Sequence, residues 1–288
     1  MKKQVIYKTR GHRADIGPIE LYRLLSNNYV DHVGHFVFLD YAPPFVHKNK
    51  MVVNDDMAHP HRGIATLTYV LNGEEEHFDS RGNHVTVHSG GTLWMKAGNG
   101  IIHNGTINAD SKSDGKLNHS FQFWINLPAI NKKENPEIMA LQANELPIVH
   151  LEDQAGSLKV VVGEYGGKAS RIPTYAKQYL YHIRLSEGKR FIFSAEEGLE
   201  YAVFLPAQDI HINDNTYHAG DLIGFDNKEG NIEFVNNLET EAEFILFGGE
   251  KYIEPYVAQG PYVMNTREEI KEAHKDYMSG KYGKIIYN

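Results

Sequence analysis

An all-β fold of two antiparallel β-barrels in tandem, with one C-terminal helix, is what the sequence predicts, on three observations. From Ile64 to about Leu127, short β-branched and aromatic runs alternate with glycine-bearing turns. The same pattern resumes near Tyr179 and continues to Gly249. Between the two stretches lies NLPAINKKENPEIMALQANELP, rich in proline and charge, which reads as a linker. Closing such strand series on themselves removes exposed edges, which is why a barrel is expected of each.

The elements follow in order. IATLTYVL is the first clear strand and Asn72-Gly73 its turn. EEEHF, the turn DSRGN and HVTVH form a hairpin, and Ser89-Gly90-Gly91 leads into TLWMKA. HSFQFWINL completes the first series. The second series is YLYHIRL, FIFSA, LEYAVFL, DIHIN, DLIGF, NIEFVN and AEFILFG. After Gly249 the period changes. Thr266 and Glu269 make a capping box in front of REEIKEAHKDYM, a surface helix that stops before Gly280 and packs back on a barrel. The domains expected are 1–140, 141–250 and a tail 251–288.

Composition narrows the function. A chain of 288 residues, 41% hydrophobic and 23% charged, has the make-up of a folded protein. Its formal charge of −8 argues against a surface built to neutralise phosphates, so direct nucleic-acid binding is not expected. No apolar run reaches the roughly 20 residues that span a bilayer, and MKKQVIYKTRGHRAD lacks the apolar stretch of a signal peptide. The expectation is a cytoplasmic protein without a membrane partner. With no cysteine, any metal must be held by nitrogen and oxygen, which directs attention to the 16 histidines.

His59-Pro60-His61 sets two imidazoles two residues apart, and in extended chain that spacing points both to one face. His103 lies in AGNGIIHNG, where Gly98, Gly100 and Gly105 suggest a turn that delivers a side chain into a cavity. Three imidazoles suit one divalent iron, zinc, nickel, copper or cobalt ion better than calcium or magnesium. HxH followed some forty residues later by GxxH is the two-part layout of a cupin barrel.

The ordered motifs HPHRGIATLTYVLNGEEEHFDSRGN, GTLWMKAGNGIIHNG, QFWINLP and GPYVMNTREEI resemble the pirin family over nearly the whole chain. The resemblance implies a bicupin with metal, usually iron, only in the N-terminal barrel, held by His59, His61 and His103. It also implies a quercetin 2,3-dioxygenase-like activity on a flavonol-type aromatic substrate, or a metal-binding or redox-sensing module acting through a protein partner. Two departures bear on these implications. Pirins carry a glutamate two residues after the last histidine, as fourth ligand or base, where this chain has Gly105. A second glutamate expected after HPHRG is replaced at Ala65-Thr66. Loss of the metal altogether, with the scaffold kept, is a third reading. Substitute ligands or supporting groups are His77, Asp79 and His119. Tyr69, Trp94, Met95, Phe121 and Phe123 are the expected cavity lining, and Arg62 and Gln122 are open to either role. His182, His211 and His218 are scattered, so no metal is expected in the second half. Glu74-Glu75-Glu76 reads as a solvated strand edge, and the GEYGG run, Gly163 to Gly167, has no GK[ST] behind it to make a phosphate loop.

Overall fold

A computed structural model describes residues 1–17, 19–26, 30–46, 50–113 and 115–287. The chain divides into two units. The N-terminal unit comprises Ile16–Leu21, Phe38–Glu145 and Ile253–Asn288, and the C-terminal unit comprises Met1–Asp15, Tyr22–Val37 and Leu146–Tyr252. The opening segment therefore goes with the later unit rather than with residues up to 140. Its strand Val5–Thr9 pairs antiparallel with Leu222–Phe225.

In the N-terminal unit one sheet runs Glu137–Leu141, Thr92–Lys96, Ile64–Asn72, Leu117–Asn126 and the strand Phe36–Val46 from Phe38 onward, in that spatial order. A four-stranded sheet runs His59–His61, Ile101–Asn108, Glu74–Asp79 and His84–His88. The C-terminal unit repeats the plan, with seven strands in one sheet and four in the other. Both units are all-β jelly rolls of two sheets, and the ladders do not close into continuous barrels. Asn72-Gly73 shows the reason. Instead of joining a hairpin, it carries the chain from the larger sheet to the smaller one, at a glycine with φ +101°. The DSRGN turn does join a hairpin, Glu74–Asp79 to His84–His88. The linker contains a strand as well. Glu137–Leu141 adds to the edge of the larger sheet beside Thr92–Lys96.

The cores follow the period of two. In the C-terminal unit, Leu158, Ile183, Val203, Ile223, Phe234 and Phe244 are among the fully buried residues of one cluster. Truncating any one of them is expected to cost about 2–5 kcal/mol. In the N-terminal unit a small cluster of Ile64, Met95, Ala97, Ile101 and Val263 lies between the sheets. The α-helix Arg267–Met278 starts at the expected capping box, Thr266 Oγ1 accepting from the Glu269 amide while Glu269 Oε2 accepts from that of Thr266. Its buried residues Ile270 and Ala273 pack with Tyr262, Met264 and Tyr282.

The tail is fastened by two buried basic side chains. Arg62, 1% exposed, donates to Asp276 at 2.8 Å and to Glu272 at 2.9 Å. Lys132 donates to the carbonyls of Gly63 and Val263 at 2.8 and 2.9 Å and to the Asn126 side chain. Only glycine fits at position 63, because a Cβ there would stand 2.0 Å from the Val263 carbonyl oxygen. Among the described residues no helix is long and apolar enough to cross a membrane.

Candidate metal centre

The strand pairing brings the three histidines together. His59 and His103 are direct partners in the antiparallel ladder, and His61 lies two residues from His59 on the same strand. Directly opposed residues have their Cβ atoms about 5 Å apart, so the two rings converge without strain. The Nε2 atoms of His59 and His103 are 3.0 Å apart, and one ligand nitrogen from each of the three lies within 4.8 Å of the others. With metal–nitrogen bonds of about 2.0–2.1 Å, cis ligands on one ion stand about 3 Å apart, so the arrangement fits a single divalent ion.

The other ring nitrogens explain why the rings face inward. His59 Nδ1 lies 2.9 Å from the Met57 carbonyl and His61 Nδ1 lies 2.9 Å from that of Pro261. A carbonyl accepts only, so each Nδ1 carries the proton and each Nε2 is left with a lone pair. Burial, and then the neighbouring imidazole of His59, hold His61 down at about 3 and His103 well below the usual histidine range. Burial also lowers His59. All three are neutral at physiological pH, the form that binds a metal.

The remaining expected residues fall into two groups. His77 is buried with its ring centroid 5.4 Å from that of His103, and its Nε2 lies 3.3 Å from Asp79 Oδ2. Asp79 closes the hairpin, accepting from the amides of Arg81 and Asn83 and from the Asn83 side chain. Burial alone would raise its pKa, but these bonds and the one from His77 bring it below the usual value. His119 is away from the centre, its Nε2 3.1 Å from the Tyr41 hydroxyl and its ring against Tyr41 and Phe121.

The aromatic lining needs correction. Thr68 Oγ1 donates to Glu75 Oε1 on the facing sheet, so even positions of Ile64–Asn72 point between the sheets. Tyr69, its partner Phe121, and Phe123 and Trp94 beside Leu67 then project from the other face of the larger sheet, all fully buried. Of the five, Met95 alone shares the histidine side, with Ile64 and Ile101. The aromatic residue beside the centre is Trp124, whose ring centroid is 4.9 Å from that of His61 and 4.2 Å from that of Phe38, on which it stacks. Its position beside Thr66 in the ladder could have revealed it. Gln122 points the same way, donating to Thr68 Oγ1 at 3.1 Å.

The triple-glutamate run is not a solvated edge. Glu74, 5% exposed, accepts from the amide and hydroxyl of Ser111. Glu75 is on the histidine face, for Asp79, His77 and Glu75 pair in turn with His103, Gly105 and Ile107. Its Oε2 is shut off from solvent without a hydrogen-bond partner. Burial pushes the Glu75 carboxyl up to about 7, against the opposing bond from Thr68. Gly105 is a close approach, since a Cβ there would lie 2.5 Å from the Glu76 carbonyl oxygen. Glu74, His88 and Asp110 form a second group with metal-ligand atoms close together. Asp110 already accepts from Ser89, Lys112 and His88, and it is a turn-closing residue. In the C-terminal unit, His182, His211 and His218 pair separately with Glu243, Thr216 and Asp209.

Comparison with known proteins gives a consistent family. Residues 19–125 match the model of the pirin family, and residues 180–283 that of the pirin C-terminal cupin domain. A Pseudomonas aeruginosa protein whose name proposes quercetin 2,3-dioxygenase activity is 30% identical over 89% of both chains. The crystal structure of a quercetin 2,3-dioxygenase from Acinetobacter baumannii, 28% identical, superposes with a TM-score of 0.87 over 99% of this chain and all of that one. The bacterial pirin YhhW of Escherichia coli, solved with nickel(II), has the same fold at 19% identity and a TM-score of 0.64, over 85% of this chain and 99% of that one.

Proposed function

The chain belongs to the pirin family, and from that premise we propose that it is a metal-dependent dioxygenase of the quercetin 2,3-dioxygenase type, opening the ring of a flavonol with release of carbon monoxide. The observation that carries the reading is the convergence of His59, His61 and His103, with Nδ1 of His59 and His61 turned to carbonyls and Nε2 free for an ion. A divalent ion there, iron by family analogy, would supply Lewis acidity to the flavonol's 3-hydroxyl and 4-carbonyl oxygens and a place for dioxygen. Trp124 and Phe38 offer a stacked aromatic wall against which the planar substrate lies. Met95, Ile64 and Ile101 keep the floor apolar and exclude water.

Gly105 brings no carboxylate, so the hydroxyl proton must go elsewhere on that face. In this reading His77 takes it, supported by the position of Asp79 3.3 Å from its Nε2 and of Glu75 two residues along the strand. A second reading is a metal-binding or redox-sensing module acting through a protein partner in the cytoplasm. The closeness of Gly105 to Glu76 favours it, because a glutamate is not simply missing there but sterically excluded.

The test is metal analysis of untagged, chelator-free protein beside His59→Ala and His103→Ala, then a quercetin assay with oxygen uptake. One equivalent of metal, lost in both variants along with turnover, supports the dioxygenase. Metal without turnover supports the module, and turnover that survives both substitutions refutes the centre.

A further inference from the structure

His59 and His61 take their orientation from different parts of the chain. The ring of His59 is turned by the carbonyl of Met57, two residues away, whereas that of His61 is turned by the carbonyl of Pro261, just ahead of the C-terminal helix. His59–His61 is the edge strand of its sheet, three residues long and paired on one side only. On its other side the segment 261–263 lies along 61–63. His61 Nδ1 donates to the Pro261 carbonyl at 2.9 Å, the Val263 amide donates to the Arg62 carbonyl at 3.2 Å, and Arg62 and Tyr262 form a parallel bridge between these bonds.

The rest of the tail touches the other metal-bearing strand, Ile101–Asn108, on both sides of His103. The Ile102 amide donates to the Ser80 hydroxyl, which donates in turn to the Tyr282 carbonyl. Asn104 Nδ2 donates to the Tyr287 hydroxyl at 2.7 Å. The Tyr282 ring lies so close to Gly100 that a Cβ there would stand 2.1 Å from it, at a residue whose φ of +115° already favours glycine. The helix Arg267–Met278 joins the two sets of contacts. Its Glu272 and Asp276 hold the side chain of Arg62, the residue after His61, and its Ala273 carbonyl accepts from the Tyr282 hydroxyl.

We propose that Glu272 and Asp276, acting through Arg62, are positioning residues of the metal centre, so that ion binding and docking of the tail are linked. The inference rests on the metal centre of the proposed function and not on dioxygenase chemistry. With the tail docked, His61 is confined to the tautomer and orientation that turn Nε2 towards His59 and His103. With it released, the Nδ1 proton has no fixed acceptor and the edge strand is held by one ladder alone, so binding an ion must also order that ligand. Outer partners of metal-binding histidines are worth about 10–100-fold in metal affinity. Linkage is reciprocal: an ion that binds the docked protein more tightly by a given factor suppresses release of the tail by the same factor.

The experiment is hydrogen exchange of the full-length protein, metal-free and saturated with zinc, read by mass spectrometry over residues 262–283. Exchange there is expected to slow about tenfold or more with zinc, while exchange in the C-terminal unit's strand Gln178–Leu185 stays as it was. Reversing the two carboxylates, Glu272→Lys with Asp276→Lys, sets ammonium groups against Arg62 and is expected to weaken zinc about tenfold in competition with a chromophoric chelator. The d–d spectrum of the cobalt(II)-loaded variant is expected to move as well, which lost stability alone would not do. Ile183→Val, a core truncation in the C-terminal unit, is expected to leave affinity and spectrum unchanged. Equal slowing of both segments would mean general stabilisation and would overturn the linkage, as would wild-type zinc affinity with an unshifted cobalt spectrum in the reversed variant. Unchanged exchange of the tail in a protein that does bind zinc overturns the linkage alone, whereas a wild-type protein that takes up no zinc overturns the centre and the linkage together.

Discussion

Replacing Glu75 with glutamine should stabilise the protein at alkaline pH, against the usual sign of a mutation in a functional cavity. The carboxyl titrates at about 7 instead of 4.5 because it is buried beside Thr68 with one oxygen unmatched. The folded state therefore holds a proton that the unfolded chain gives up, and the stabilisation from Glu75 is present below pH 4.5 and lost as pH rises through 7. The rise from 4.5 to about 7, at about 1.4 kcal/mol per tenfold change in proton affinity, sets a ceiling of about 3 kcal/mol. Relaxation of the surroundings around an ionised carboxylate recovers part of that cost, so the expected gain of Glu75→Gln is about 1–2 kcal/mol at pH 8, with little difference at pH 4.5. The assay is urea unfolding of metal-free wild type and variant between pH 4.5 and 8.5. Loading a divalent ion between the same sheets should shrink the gap, since a nearby cation draws the carboxyl's pKa down. A Glu75→Gln protein less stable than wild type at pH 8 by 1 kcal/mol or more would refute the reasoning, for it would mean that an ionised Glu75 is partnered.

Three further outcomes are expected. Lys132→Met should cost about 3–5 kcal/mol in chemical denaturation, because the oxygens of Gly63, Val263 and Asn126 lose their donor together. Arg62→Ala should cost about 2–4 kcal/mol, and Arg62→Lys should recover only part of it, since one ammonium cannot span Glu272 and Asp276; calorimetry of the three proteins decides it. Asp110 is held at about 2, burial opposing and the bonds from Ser89, Lys112 and His88 prevailing. Its contribution, about 1–2 kcal/mol, is present above about pH 4 and lost as pH falls towards 2, so Asp110→Asn should flatten the acid limb of the stability curve.

The histidine triad was legible because its spacing is local: HPH reads as a strand, and His103 needed only one ladder to meet it. The helix was legible from its capping box, which is likewise a matter of four residues. What the chain order hid was which sheet each strand joins. Asn72-Gly73 has the composition of a hairpin turn, and nothing local distinguishes a turn within a sheet from a corner between two. The same gap misplaced the aromatic lining. Alternation shows that Tyr69 and Thr68 face opposite ways, but only the bond from Thr68 to Glu75 shows which way is inward. Glu75 was misread for a related reason, since three consecutive charges suggest solvent while a strand must bury every second side chain. Val5–Thr9 could not be assigned to the later unit because its partner lies more than 200 residues away.

The bond from His61 Nδ1 to the Pro261 carbonyl joins residues 200 apart in sequence. At a synthesis rate of about 5–20 residues per second, the ribosome makes that carbonyl about 10–40 s after the histidine it orients. Until then His61 is free to take either tautomer and to turn its ring, so the nascent chain offers a looser and less selective set of imidazoles than the finished protein.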